Sequence, residues 1–372
     1  MKFLLSPDKF KGSLSAMEVC EAIGKGLSGS GRNVEFIMHP LADGGEGSLE
    51  ILENYLTTER VSIEVSNSIG EKTKAWYLLY DKNAYVELAS ASGLELLDAD
   101  ERNPMHTSTY GTGLMILDAI NKGVENIFLF IGGSSTNDAG TGILKALGYK
   151  FLNKSGQELM PIGENLIKIR TIQSDFLKYN PGKVHFHVLC DVDNVLAGKT
   201  GAAYVYAKQK GASDAEIDIL DQGLFRFSEV IKSDTGVDIS AIKGGGAAGG
   251  VAAGMFGVLN AGIKSGIDFI IDITGFKQHL AWADFVVTGE GKLDKQSMQG
   301  KVVGKVALLS REYNKPLILF VGKNDLSGIE LQKLSAYYMD SVSVYSKNNY
   351  DAINNAKEYL TKMANGFLLS IS

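Results

Sequence analysis

Phe3-Leu4-Leu5-Ser6-Pro7-Asp8-Lys9-Phe10-Lys11-Gly12-Ser13-Leu14-Ser15-Ala16-Met17-Glu18 is the stretch that decides the fold. Its three leading apolar residues read as a short strand. Ser15 and Glu18 stand at the spacing of a capping box, with Leu14 and Val19 placed for the hydrophobic staple around it. Val19, Ile23 and Leu27 then recur at helical spacing. Residues 34–38 read as a second strand, and the loop at 41–47 leads into a helix over 48–55. Strand, loop and helix, twice over, is the grammar of a parallel sheet whose ligands gather at the strand C-termini.

Further along, the pattern changes. Residues 61–88 fall into short β-branched and aromatic runs, including 75–80 and 85–88, which predict hairpin-like strands. Residues 127–131 predict a buried strand entering a loop at 132–138, followed by a helix stopped at Gly148. Residues 184–189 predict another strand, which ends at Asp191-Val192-Asp193-Asn194. The βα form then returns, with a strand at 285–287, a loop at 288–294, a helix over 302–313 and a strand at 317–321. The expected fold class is α/β with two domains. A discontinuous Rossmann-like parallel-sheet domain would take 1–64 and 265–372, and an inserted second α/β domain 65–264. Active sites favour the clefts such insertions create.

Bulk properties agree with a soluble globular protein. The 372 residues favour two domains over one, and the hydrophobic and charged fractions of 45% and 22% are ordinary. Lys+Arg 37 against Asp+Glu 43 leaves a net charge of −6, so there is no electrostatic case for a nucleic-acid partner. Cys20 and Cys190 alone make no disulfide framework, which fits a reducing compartment. The opening apolar run is too short for a signal peptide. Residues 244–263, between Lys243 and Lys264, carry no charge, but Gly and Ala dominate them and Asn260 interrupts them. They read as a glycine-rich loop leading into a tightly packed helix, not as a membrane span. The expectation is a cytoplasmic protein with no membrane partner.

The chemistry-bearing residues lie in five glycine-rich segments, at 6–13, 41–47, 132–138, 244–250 and 288–294. Glycine lets backbone amides approach a ligand, and runs of amides form nests for phosphate. Carboxylates beside such nests can hold Mg²⁺, which prefers oxygen ligands and substrate phosphates. Together with the lysines, these residues suggest phosphoryl transfer. Lys9 and Lys11 offer point charges for a carboxylate or phosphate, and Asp8 can orient a substrate hydroxyl. Asp43, Gly44, Gly45 and Glu46 repeat that setting after the second strand. Ser134 and Ser135 can donate to phosphate, while Asn137, Asp138, Asp191 and Asn194 can position a hydroxyl or Mg²⁺. Glu290 and Asp294 belong to the last such loop, with Ser297 and Lys301.

Tempting alternatives fail on spacing. Gly198-Lys199-Thr200 lacks the glycine a P-loop needs five positions earlier, where Asp193 stands. The run from Gly244 to Gly249 matches G-x-G-x-x-G, but the strand required before it is poorly patterned. It keeps open a nicotinamide-dependent oxidoreductase acting on a small hydroxy acid. A non-catalytic sensor of a small acid is the other reading. His185 and His187 share a strand face without a third ligand at metal spacing.

Several segments, taken in order, resemble one family. Ser-Pro-Asp-Lys-Phe-Lys-Gly-Ser-Leu-Ser-Ala at 6–16, Leu-Ala-Asp-Gly-Gly-Glu-Gly at 41–47, Ile-Gly-Gly-Ser-Ser-Thr-Asn-Asp-Ala-Gly at 131–140, Gly-Ala-Ala-Gly-Gly at 246–250 and Thr-Gly-Glu-Gly at 288–291 are similar to the bacterial type 1 glycerate kinases. Ala-Ser-Ala-Ser-Gly-Leu at 89–94 and Gln-Lys-Gly-Ala at 209–212 add to the likeness. Lys9 stands where the family usually has serine, Asp193 and Val195 fall in a stretch that often reads Asp-Val-x-Asn-Pro there, and Lys243 and Gly245 vary its usual Pro-Gly-Ala-Gly lead. The resemblance implies ATP-dependent phosphorylation of D-glycerate with Mg²⁺, at the 2-hydroxyl, with 3-phosphoglycerate left open as product and a homodimer left open as assembly. It implies Lys9 and Lys11 on the glycerate carboxylate or the migrating phosphoryl, and Asp43 or Asp191 as acceptor of the hydroxyl proton. Ser134, Ser135 and the amides of Gly244, Gly245 and Gly246 would cradle phosphates. Asp138, Glu290 and Asp294 would serve Mg²⁺ or orient lysines.

Overall fold

The computed structural model describes residues 1–29, 31–298 and 300–371. The chain divides into two compact units, one of Met1–Asp43 with Ile267–Ser372 and one of Gly44–Gly266. A boundary at 64/65 would cut the strand Glu59–Ser66, which pairs along its whole length with Lys72–Tyr80, so the division falls at Asp43/Gly44 instead.

Among its described residues the smaller unit builds a five-stranded sheet, in the order Ala336–Ser341, Leu317–Val321, Phe285–Thr288, Lys2–Leu5, Glu35–Met38. Every pairing in it is parallel. Alternate side chains of a strand face opposite sides of the sheet. Phe3 and Leu5, with Val287, Ile318 and Phe320, join one core, to which the helices Ala16–Ser28 and Ala356–Ser370 add Val19, Ile23, Leu27, Leu360, Met363 and Phe367. Leu4, Val286 and Leu319 alternate with them and are equally buried. Burial on both faces is what a parallel sheet requires, and it explains the near-continuous apolar strands. The first helix starts as its sequence predicts. The Ser15 Oγ accepts the Glu18 amide at 3.3 Å, and the Glu18 carboxylate accepts the Ser15 amide at 2.8 Å.

The larger unit holds a six-stranded sheet among its described residues, in the order Gly262–Lys264, His185–Leu189, Asn126–Phe130, Asn83–Glu87, Lys72–Tyr80, Glu59–Ser66. The first four strands run parallel and the last two antiparallel, so the predicted hairpins form one side of a mixed sheet. His187 stacks on Phe128 with ring centroids 4.7 Å apart, a packing role that suits a strand histidine. The segment 244–263 is neither a simple loop nor a single helix. Ala247–Leu259 is broken by left-handed backbone at Ala248, Gly249 and Gly250 before it continues as a buried helix. Among the described residues no helix is long and apolar enough to cross a membrane.

Replacing Ser15 with Ala removes one half of the capping box and leaves the Glu18 amide without its acceptor. Urea unfolding should show a loss of about 1 kcal/mol, and Ser15→Thr should restore most of it.

Candidate active site

The parallel sheet of the smaller unit delivers three carboxylates to the C-terminal ends of its strands. Asp8 follows Lys2–Leu5, Asp43 follows Glu35–Met38 and Glu290 follows Phe285–Thr288. Backbone bonds extend the strand pairing into these loops. Ser6 N–H donates to Val287 O at 2.7 Å, Asp8 N–H to Gly289 O at 2.9 Å, and Gly322 N–H to Glu290 O at 3.0 Å. The carboxylates sense one another. Burial first, and the Asp43 charge second, push Asp8 from an ordinary 3.8 up to about 8, although its own Oδ1 accepts the Lys9 amide at 2.7 Å. Burial also lifts Glu290 to about 7, against the pull of Ser297 and Lys301 and with added repulsion from Asp294 and Asp43. Near neutrality Asp8 and Glu290 thus tend to keep protons, chiefly because they are buried and secondarily because Asp43 repels their charged forms.

Hard oxygen donors and clustered like charge fit a cation such as Mg²⁺. Glu290 Oε1 is buried with no hydrogen-bond partner, as is Ser6 Oγ. Among the described residues no group of three or more His, Cys, Asp or Glu side chains could hold a metal. A cation would therefore need oxygens from a substrate as well, the usual state of Mg²⁺ in phosphoryl-transfer sites. Asp294 serves the loop, since its Oδ1 accepts the Gln296 amide at 2.9 Å and its amide donates to Ser297 Oγ at 2.9 Å. Lys9 is half-buried and Lys11 exposed.

In the larger unit, the loops after the parallel strands gather Gly44, Gly45, Gly132, Asp191 and Gly266. A Cβ on Gly132 would lie 2.5 Å from Gly45 Cα, so only glycine lets these two backbones touch. Asp191 Oδ1 accepts the Gly266 amide at 3.0 Å. Glu46 points to solvent, and the buried Glu87 accepts the Leu49 amide at 2.9 Å, which fixes the start of the helix Ser48–Glu53 beyond Gly44 and Gly45.

Several predicted ligands turn out to hold the protein together. The Asp138 carboxylate is fully buried and accepts from Thr109 N–H and Thr109 Oγ1–H at 2.8 Å each, and from the Gly140 and Gly142 amides at 3.1 Å each. Oδ2 takes three of those donors and Oδ1 the fourth, so Asp138 serves as a structural acceptor. Ser135 Oγ donates to Ser68 Oγ at 2.8 Å. Asn194 is spent within its own loop, donating to Thr200 O at 2.9 Å and accepting from the Tyr206 hydroxyl at 2.6 Å. The Gly245 and Gly246 amides donate to Ile242 O and Asn194 O at 2.9 Å each, so they form a turn and offer no phosphate cradle, and Gly244 carries the Ala247 amide on its carbonyl at 3.0 Å. The same turn lacks the preceding strand that a dinucleotide site needs.

Ser134 and Asn137 keep capacity for a ligand. Asn137 Nδ2 and the neighbouring Thr136 Oγ1 are buried without hydrogen-bond partners. Beside them stands a residue whose chemistry the sequence did not announce. Lys210 is buried, and its Nζ donates to Ser134 Oγ and Thr136 O at 2.7 Å each. Burial lowers it from an ordinary 10.5 to about 7, with the Asp138 charge opposing. Its place within Gln209-Lys210-Gly211-Ala212, among the family-like segments, was the one available signal.

A two-unit α/β protein with carboxylates on loops at parallel strand ends, and a buried lysine beside a polar loop, has the makings of a phosphotransferase. The model of the Glycerate kinase family matches residues 3–371. Glycerate kinase of Halalkalibacterium halodurans is 40% identical over 324 residues, covering 86% of this chain and 84% of the relative. Glycerate 2-kinase of Escherichia coli is 40% identical over 324 residues, covering 87% and 85%. A crystal structure from Salmonella typhimurium LT2, provisionally named glycerate kinase 2, superposes with a TM-score of 0.84 at 35% identity, covering 100% of this chain and 98% of the other. The chain belongs to the glycerate kinase family, and it is an enzyme of the phosphotransferase class.

The raised carboxylates have a consequence for stability. In the unfolded chain Asp8 and Glu290 ionise near 3.8 and 4.5, whereas folding moves them to about 8 and about 7. The folded state binds more protons across that window, so their contribution is present below the unfolded values and is lost as pH rises through the folded ones. Urea midpoints should fall between about pH 5 and about pH 8, and Asp8→Asn should flatten the decline. An Asp8→Asn protein as pH-sensitive as wild type would contradict the assignment.

Proposed function

We propose that this enzyme transfers the γ-phosphoryl group of ATP to the 2-hydroxyl of D-glycerate, giving 2-phosphoglycerate and ADP in the cytoplasm. The observation that carries the reading is the Asp8, Asp43 and Glu290 cluster, in which burial raises Asp8 and Glu290 and the Asp43 charge adds to the rise. The likeness to a relative named glycerate 2-kinase supports the 2-position.

In this reading Asp43 accepts the proton of the attacking hydroxyl as the new O–P bond forms and the bond to the ADP oxygen breaks. Asp43 is preferred to Asp191 because its charge acts on Asp8 and Glu290, the other two carboxylates of the cluster. Asp8, holding its own proton near neutrality, donates a hydrogen bond to a glycerate oxygen. Lys9 and Lys11 attract the glycerate carboxylate. Ser134 and Asn137 supply donors to phosphate oxygens. When bound, Mg²⁺ would neutralise phosphate charge, and Glu290 is the residue that would hold it.

An ADP-release assay with D-glycerate should show turnover, and the phosphorus NMR spectrum of the product should be that of 2-phosphoglycerate. Activity confined to another hydroxy acid would refute the substrate and spare the reaction class. Asp43→Asn should lower kcat by roughly 10²- to 10⁴-fold with little change in KM, the range expected for loss of a general base. A near wild-type kcat in that variant would pass the role to Asp191.

A further inference from the structure

Lys210 is an expensive residue for a protein interior. Its ammonium is buried, its one close opposite charge among the described residues is Asp138, and the Asp138 oxygens already accept from four donors of Thr109, Gly140 and Gly142. A buried cation without a direct ion pair costs more than an apolar side chain of similar volume, so stability does not account for it. The two bonds it makes are informative. One supports the loop through Thr136 O, and the other occupies the Ser134 oxygen. While Lys210 is protonated its Nζ can only donate, so the Ser134 hydroxyl must then donate its own proton elsewhere, and no acceptor for it stands among the described residues. Thr136 Oγ1 and Asn137 Nδ2 beside it are likewise buried and unpartnered, a concentration of unmet polar groups that folded proteins avoid.

We propose that Lys210 is a positioning residue that turns Ser134 into an obligatory donor to an oxyanion of one of the two substrates, with Asn137 as a second donor. The oxyanion is a phosphate of the nucleotide or the carboxylate of glycerate. The proposal rests on the kinase reading above. It differs from the role of a charge on the loop surface, because the lysine acts through the serine.

The test compares wild type, Lys210→Met, Ser134→Ala and the double variant, measuring KM for ATP, KM for D-glycerate, kcat and melting temperature. Lys210→Met should raise one KM by about tenfold or more while the melting temperature holds or rises. Ser134→Ala should raise the same KM, and the double variant should be no worse than Lys210→Met alone. An effect on KM for ATP assigns the oxyanion to phosphate, and an effect on KM for glycerate assigns it to the carboxylate. Unchanged KM values with a lowered melting temperature would make Lys210 merely structural, and additive effects of the two single variants would also overturn the proposal. Ligand-induced melting shifts with tripolyphosphate and with D-glycerate, read without turnover, separate this idea from the kinase reading. If wild type does not turn over glycerate but Lys210→Met still loses one of those shifts, the reaction fails and Lys210 stands. Equal shifts in the two proteins remove Lys210. Should Lys210→Met not fold, Ser134→Ala carries the comparison, and an unchanged KM and melting shift in it would overturn the proposal.

Discussion

The buried carboxylate of Asp138 determines where a whole loop can run. Its oxygens gather donors from Thr109, which opens the helix Tyr110–Asn121, and from Gly140 and Gly142, at the start of the helix Thr141–Ala146. Two helix N-termini are thereby tied to one anion, where orphan amides and helix dipoles both favour negative charge. The preceding residues inherit a fixed path. Thr136 O meets Lys210, Ser135 is held by Ser68 and Ser92, and Ser134 is left facing an ammonium. A carboxylate that looks catalytic in the sequence is thus the support on which the polar side chains beside it depend.

The smaller unit solves a different problem with different means. Its three carboxylates arrive because three parallel strands end at the same edge, and parallel pairing leaves little freedom in where their loops begin. Burial first, and neighbouring like charge second, disfavour their ionised forms, and the cost appears as protons retained by Asp8 and Glu290. Lys9 and Lys301 temper the cost without removing it. A protein free to optimise stability alone would not keep such an arrangement. Groups poised near neutral pH are what proton transfer and cation binding require.

Local signals were the legible part of this chain. The capping box at Ser15 and Glu18 needs only neighbouring residues, so spacing sufficed to find it. The apolar runs at 3–5 and 317–321 are buried throughout in their strands, and the run at 127–131 supplies the strand Asn126–Phe130, buried except at Asn126 and Phe128. The helix Ala356–Ser370 and the strand Ala336–Ser341 escaped attention, since their apolar faces are diluted by polar residues and are defined by the sheet they cover. Site chemistry was harder to read. Asp138 and Glu290 both stand in glycine-rich loops, and no spacing rule distinguishes a carboxylate saturated by backbone amides from one with an oxygen to spare. Lys210 becomes chemically meaningful only when the fold buries it against residues 74 and 76 positions away.

The glycines make the same point from the other side. A glycine-rich run invites the reading of a phosphate nest, and at Gly245 and Gly246 that reading mistakes a turn for a ligand site, because the amides are consumed internally. Gly249 shows the actual use. A Cβ there would sit 2.2 Å from Thr136 O, and its carbonyl accepts the Ala139 amide at 3.0 Å. Gly249 therefore buys close approach of one backbone to another, which presses the 134–139 loop against the broken helix. That contact leaves the loop no room to relax away from Lys210. Substituting any larger residue at Gly249 would disturb the lysine and serine pair without touching either, so the glycine-rich motif serves the site by packing, and any ligand is met by the side chains it holds in place.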